Sequence, residues 1–329
     1  MVITLAHGAG GAESAALMRN VFSKYFTGEA LSRLEDAAVV PGAETIAVNT
    51  DSFVVTPLVF PGGDIGKLAA VGTINDVLMS GAVPRYLTCG FVLDAGLRIE
   101  LLDAICASLA TAAAEAGVTV IAGDTKVIET HGETPGLLIN TTGIGVAPSN
   151  PAAGIQSGDA VILSGTLGDH HAAILTARLG VKNNIKSDCA LLAPITGALS
   201  AAGIEIHAMR DVTRGGLATV LNELADASGV SLLLEEQSIP VSPEVRAFCG
   251  MMGLDPLYMG NEGKMVLAVA EEDAACALEA IRTTAIGASA AIIGKASQTA
   301  TPPPVSMRTL LGGTIRLSPL YGEGLPRIC

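Results

Sequence analysis

A chain of 329 residues, half of them hydrophobic, has room for two domains of ordinary size and for a large core. A net charge of −13 with no basic run to offset it argues against nucleic-acid binding. Despite a mean hydropathy of +0.51, no uninterrupted apolar run reaches membrane length. Aromatic residues make up only 3%, Trp is absent and glycines number 38, which points to a core of Ala, Val, Ile and Leu. The opening Met1-Val2-Ile3-Thr4-Leu5-Ala6 lacks the basic start of a secretory signal. Six cysteines (89, 106, 189, 249, 276 and 329) are scattered without a CxxC pair, the pattern of reduced thiols in a cytoplasm.

Near the start, His7-Gly8-Ala9-Gly10-Gly11-Ala12-Glu13-Ser14 precedes a helical pattern over 15–26. Gly8, Gly10 and Gly11 allow backbone N–H groups to approach an anion, although a plain flexible loop has the same composition. Glu13 stands at the third glycine position, so this is no dinucleotide fingerprint. Strands are expected over 35–40, which holds Asp36, and over 45–51, which ends at Asp51. Phe60-Pro61-Gly62-Gly63-Asp64-Ile65-Gly66-Lys67 fails as a Walker loop, because Pro61 and Leu68 occupy required Gly and Ser/Thr positions. The helix expected over 67–80 carries Asn75-Asp76, a pair that is costly to bury without partners. It either faces water or meets a cation.

A strand over 85–93 and a helix over 98–116, apolar at 101, 102, 105 and 109, come next. A short buried strand over 118–122 then ends in Gly123-Asp124-Thr125-Lys126. After a strand over 137–146, Pro148-Ser149-Asn150-Pro151 marks the clearest domain boundary. The second half repeats the alternation, with strands over 159–164, 204–209, 230–234, 264–270 and 291–295. Its helices are expected over 172–179, 191–202, 217–227, 243–252 and 273–283. Arg210-Asp211-Val212-Thr213-Arg214-Gly215-Gly216 stands before a helix, and Gly260-Asn261-Glu262-Gly263-Lys264 before a strand. His170-His171 read as a helix-start pair pointing to different sides, and Met251-Met252 as core. The fold class is α/β or α+β, divided into domains 1–150 and 151–317 with a tail over 318–329.

That tail ends in Cys329. A terminus is poorly ordered unless docked, and fully extended its last eleven residues reach roughly 35 Å. Arg327 favours the thiolate and the chain's own carboxylate opposes it. Elsewhere, Asp36, Asp51, Asp76, Asp124, Asp211 and Glu262 sit at element edges. Singly each reads as a turn residue; together, with the glycine loop and Lys126 beside Asp124, they point to a nucleotide–metal site, where hard oxygens suit Mg²⁺.

In chain order, His7 to Gly11, Thr50-Asp51-Ser52, Phe60 to Gly63, Gly72-Thr73-Ile74-Asn75-Asp76, Gly123 to Lys126, Asp211 to Gly216, Asn261 to Lys264 and Pro326-Arg327-Ile328-Cys329 form a set. The set resembles the HypE family of hydrogenase maturation proteins, carbamoyl dehydratases of the PurM-like ATP-binding superfamily. It spans essentially the whole chain; the middle motifs are shared across PurM-like enzymes, and the terminal Cys is the specific part. The resemblance implies a PurM-like N-terminal domain that binds ATP and forms a homodimer through its sheet. It further implies a C-terminal αβα domain and a mobile tail. Its implied partner HypF loads a carbamoyl group onto Cys329, ATP-dependent dehydration turns the S-carboxamide into an S-cyanate, and the cyano group passes to a HypC–HypD complex for the iron of nickel–iron hydrogenase.

Dehydration requires the amide oxygen to become a leaving group. Phosphoryl transfer to that oxygen and removal of the N–H protons accomplish this, given Mg²⁺ and positive charge around the phosphoryl. Under the resemblance, Asp36, Asp51, Asp76 and Asp124 hold metal; these residues with Gly8, Gly10, Gly11, Asn75 and Asp211 hold nucleotide. Lys126 stabilises the oxyanion and Glu262 serves as base. Read without the resemblance, Lys126 is equally an ion-pair partner of Asp124. Selenophosphate synthetase would want a reactive Cys in the glycine loop, which 7–14 lacks. Neither it, nor phosphoribosylaminoimidazole synthetase, nor thiamine-phosphate kinase explains a terminal Cys. A non-catalytic thiol carrier would be set apart by its lack of ATP turnover.

Overall fold

The computed structural model describes residues 1–33, 37–129, 135–148, 152–298 and 305–322. Asp36 and Cys329 therefore lie outside the described residues. Contacts divide the chain into two compact units, Met1–Ser149 and a second beginning at Asn150.

In the first unit, α1 (Ala12–Leu17), a wide turn over Met18–Phe22 and α2 (Ser23–Tyr25) carry Phe22 onto Phe91, ring centroids 5.0 Å apart. A single turn, α3 (Glu29–Ser32), follows. Of the strand expected over 35–40, residues 35 and 36 lie outside the described residues and 37–40 form no strand: Val39 is 76% exposed, and Pro41-Gly42 interrupt the run before β1 (Ile46–Phe53). A small hairpin, β2 (Val59–Phe60) and β3 (Gly63–Asp64), turns at Gly62, whose φ of 100° suits glycine. Asp64 then caps α4 (Ile65–Met79), its Oδ1 accepting the N–H of Gly66 at 2.7 Å and of Lys67 at 3.0 Å. This helix is apolar on every side and buried along nearly its whole length. It packs so closely on α5 (Ile99–Glu115) that a Cβ at Gly66 would lie 2.2 Å from the Ile105 carbonyl oxygen.

Strands β4 (Val83–Asp94), β5 (Thr119–Ile128) and β6 (Leu137–Val146) complete a sheet of order β1–β6–β4–β5. Only β4–β5 is parallel, and α5 supplies the crossover such a pair needs. The chain does not leave the sheet at Gly123 as expected. Parallel pairing with β4 carries β5 through Gly123-Asp124-Thr125-Lys126, overriding the weak strand preference of Gly and Asp. Helix α4 packs against β1, β4 and β6 from one side. On the other face Ile46, Val146 and Val83 form one row across three strands, and Val48 and Leu138 share that face. These five are 39–56% exposed.

The second unit holds β7 (Ala160–Leu163), α6 (Asp169–Arg178), α7 (Ala193–Ala201), β8 (Ala208–Asp211), α8 (Gly216–Ser228), β9 (Val230–Glu235) and α9 (Pro243–Met252). It continues with β10 (Met265–Val269), α10 (Ala274–Arg282), β11 (Ala291–Gln298), β12 (Val305–Arg308) and β13 (Thr314–Leu317). The sheet order is β13–β12–β9–β11–β7–β10–β8, antiparallel except at β9–β12, so the βα alternation of the sequence does not produce a parallel sheet. Strands β7 and β10 are buried on both faces. Val161 and Leu163 join the core under α8, while α10 packs on β7, β11 and α7. A satellite core between α6 and α9 contains Ala172, Leu175, Val245 and Phe248.

Two expectations need correction here. Met251 and Met252 are 76% and 45% exposed, at the C-terminal end of α9 where Gly253 turns the chain away. The segment from 318 is not free at its start. The Tyr258 hydroxyl donates to the Ser318 carbonyl at 3.1 Å, and the Leu320 N–H donates to Thr219 Oγ1 on α8 at 3.0 Å. Among the described residues, no helix is long and apolar enough to cross a membrane.

Candidate active site

Alternation along β1 puts Asn49 and Asp51 on the face that α4 covers, and α4 brings Asp76 to them. Asn49 Nδ2 donates to Asp51 Oδ2 at 3.1 Å and to Asp76 Oδ2 at 3.2 Å, so one amide holds two carboxylates side by side. Asn49 Oδ1 is buried and, among the described residues, has no hydrogen-bond partner. Glycine is needed at 143 to make room for it, since a Cβ there would lie 2.5 Å away. Two carboxylates held side by side between sheet and helix are hard oxygen donors of the kind Mg²⁺ accepts. Asn75, next to Asp76, is buried at 2% exposure. The Asn-Asp pair on α4 is thus not turned to water.

Asp124 and Lys126 form a separate pair, 3.0 Å apart and about two-thirds exposed. Asp51, Thr141, Cys89 and Gly123 occupy one row of the sheet, and Asp124 is the next residue along, on the opposite face. Three strand spacings, about 14 Å, separate it from Asp51. Within one chain the expected metal set is therefore split: Asp51 and Asp76 come together and Asp124 does not. Among the described residues, no group of three His, Cys, Asp or Glu side chains is placed to hold a metal. The hydrogen bond from Lys126 holds the Asp124 carboxyl below its ordinary range. An ion pair so exposed contributes little, which leaves the ammonium available to a stronger anion.

The glycine loop lies beside the same strand. A Cβ at Gly8 would meet the Cβ of Val127 at 2.9 Å, and Val127 follows Lys126. Ser14 ties the loop: its Oγ accepts the Gly10 N–H at 2.9 Å and donates to the His7 carbonyl at 2.8 Å. Gly10 adopts a φ of 78° with open space around it.

In the second unit the two motifs found in the sequence meet. Val212 donates its N–H to the Lys264 carbonyl at 2.9 Å, and its own carbonyl accepts the Asn261 N–H at 3.0 Å. Asn261 is fully buried and its amide is saturated by Val212, Met259 and the Gly168 N–H. Asp211 is buried at the end of β8, and Glu262 is half-buried before β10. Lys264 pairs with Asp188 at 3.0 Å, both side chains under a tenth exposed. Nearby, burial raises the Asp169 carboxyl and lowers the His170 imidazole to about 4. The described cysteines are all free. Burial raises Cys89 to about 12 and Cys249 to about 11, so neither offers a thiolate.

The AIR synthase related protein N-terminal domain matches residues 34–147, and the C-terminal domain of the same family matches residues 156–301. Carbamoyl dehydratase HypE of Rhodobacter capsulatus is 44% identical over 335 residues, covering 99% of this chain and 98% of its own. The chain belongs to the HypE family. A crystal structure of hydrogenase maturation protein HypE in complex with ATP superposes with a TM-score of 0.93 at 42% identity, over 99% of both chains. A HypE–HypF complex matches with a TM-score of 0.79 at 41% identity, covering 93% of this chain and 100% of that one. The two-domain PurM-like fold expected from the motifs is thereby established.

Two site residues escaped the sequence reading of this HypE-family chain. Asn49 sits one residue before a recognised motif, and only the packing of α4 on β1 reveals that its amide bridges Asp51 and Asp76. Asp188 lies in a stretch without helix or strand, 76 residues from the lysine it pairs with, and carries no local signal.

Proposed function

We propose that this chain uses ATP to dehydrate an S-carboxamide on its own Cys329 to an S-cyanate, supplying cyanide ligands for the iron of nickel–iron hydrogenase. The likeness to carbamoyl dehydratase HypE over the whole length, including a HypE structure with ATP, is the observation that carries this reading. The carboxamide oxygen attacks the γ-phosphorus of ATP and ADP leaves; the nitrogen loses one proton, giving an S-linked iminophosphate. Removal of the second N–H proton then forms the C≡N bond and expels phosphate. Lys126 is assigned to the charge that gathers on the transferring oxygens, and Glu262 to taking the N–H proton. Asp51 and Asp76, with Asn49 beside them, would hold Mg²⁺, which neutralises phosphate charge when bound. The Gly8–Gly10–Gly11 loop, Asn75, Asp124 and Asp211 are assigned to nucleotide binding, with Asp36 beside them in sequence-based expectation alone.

The protein works in the cytoplasm as a homodimer, receives its carbamoyl group from HypF and delivers the cyano group to HypC–HypD. The HypE–HypF complex of a relative supports the first partner. The exposed row of Ile46, Val146 and Val83, with Val48 and Leu138, supports pairing through the first sheet. Intact mass spectrometry tests the reaction. After incubation with HypF, carbamoyl phosphate and ATP, the chain should gain a carbamoyl group and then lose water, and Cys329→Ala should gain nothing. A cyanate-mass adduct on the Cys329→Ala chain would show that the thiol is not the carrier.

A further inference from the structure

We propose that Asp188 is a positioning residue that holds Glu262 where it can take a proton; the inference rests on the reading of Glu262 as base. Glu262 sits between Asn261 and Gly263 ahead of β10, where glycines at 260 and 263 would by themselves leave the backbone slack. The Asp188 carboxylate takes up that slack. Its Oδ1 accepts the N–H of Glu262 itself at 3.1 Å. Its Oδ2 accepts the N–H of Gly263 at 3.3 Å and the Lys264 ammonium at 3.0 Å. Three consecutive residues thus aim their donors at one carboxylate whose side chain is 4% exposed.

The backbones close the clasp from the other side. The Ala190 N–H donates to the Glu262 carbonyl at 3.5 Å, and a Cβ at Gly263 would stand 2.0 Å from the Asp188 carbonyl oxygen. There is no space for the two segments to slide. Lys264 is itself fixed, its Cε filling the place a Cβ at Gly165 would take. A lysine buried for packing would need only a counter-ion. The two backbone N–H groups turned toward the same carboxylate tie that counter-ion to Glu262.

Asp188→Asn preserves the shape but removes the charge and sets amide hydrogens against the donors. Its Cys329 should be carbamoylated as fully as that of the unaltered chain. It should then dehydrate the adduct about tenfold more slowly or worse, with the KM for ATP unchanged, since misplacement of a reacting group acts on the chemical step. Asp188→Glu should recover part of the rate. The Asp188→Asn/Lys264→Gln double variant strands no charge and serves if the single variant does not fold; it should be equally slow. Unaltered dehydration in either folded, fully loaded variant would overturn the proposal. Glu262→Gln is measured alongside. If it dehydrates normally, the base reading falls and takes the proposal with it; if it is inactive while Asp188→Asn is not slowed, only the positioning role falls.

Discussion

Asn49 illustrates how one neutral side chain organises charge. Its amide hydrogens bridge the Asp51 and Asp76 carboxylates, and its own oxygen has no hydrogen-bond partner among the described residues. Leaving a buried acceptor unpaired costs about 1–3 kcal/mol, a cost that a cation in reach of that oxygen would relieve. Asp76→Asn should accordingly weaken Mg–ATP binding about tenfold by titration calorimetry, and unchanged affinity would remove Asp76 from the metal set. His170 sets a second residue-level expectation. Burial lowers its folded pKa to about 4, below the ordinary 6.5. The unfolded chain therefore binds a proton that the folded chain refuses between those values. Stability from this residue is complete above pH 6.5 and falls as pH drops toward 4, by about 3 kcal/mol in all. Asp169, raised by burial, acts in the opposite sense in the acid range. Chemical denaturation at pH 7 and pH 5 should show a smaller difference for His170→Gln than for the unaltered chain.

At the scale of elements, periodicity served well where a strand or helix is bounded by its own residues, and poorly where a neighbour decides. Strand β6 and helix α9 have the bounds their patterns predict, α9 because Ser242 caps it, Pro243 opens it and Gly253 ends it. Strand β5 runs past Ala122 because β4 is beside it to Asp94, a fact of pairing that no local pattern in Gly123-Asp124-Thr125-Lys126 records. The run over 37–40 looks like a strand yet has no partner strand among the described residues and stays irregular. The outer face of the first sheet was readable only as alternation. The structure adds that its apolar residues align into a row of Ile46, Val146 and Val83. If that row pairs with its copy, Val48→Asp should convert the dimer to a folded monomer in light scattering after size exclusion. A dimer of undiminished stability would place the interface elsewhere.

Across the whole molecule, the two residues proposed to handle charge and protons fall in different units: Lys126 belongs to the first and Glu262 to the second. The motifs were legible because each is a short stretch of unusual residues. What they do together was not, because Asp51, Asp76 and Asp124 read alike in sequence, whereas Asp51 meets Asp76 under α4 and Asp124 stands on the opposite face of the sheet. Hydrogen bonds to Thr219 and Tyr258 also shorten the terminal reach. From Leu320 to Cys329 an extended chain covers roughly 30 Å, less than a count from Ser318 suggests. In the proposed reaction ATP removes the carboxamide oxygen as phosphate. Loading Cys329 from carbamoyl phosphate labelled with oxygen-18 at the carbonyl, then adding ATP, tests it most directly. One labelled oxygen should appear in inorganic phosphate for each S-cyanate formed. S-cyanate forming while the phosphate stays unlabelled and the label enters water would rule out phosphoryl transfer to the carboxamide oxygen.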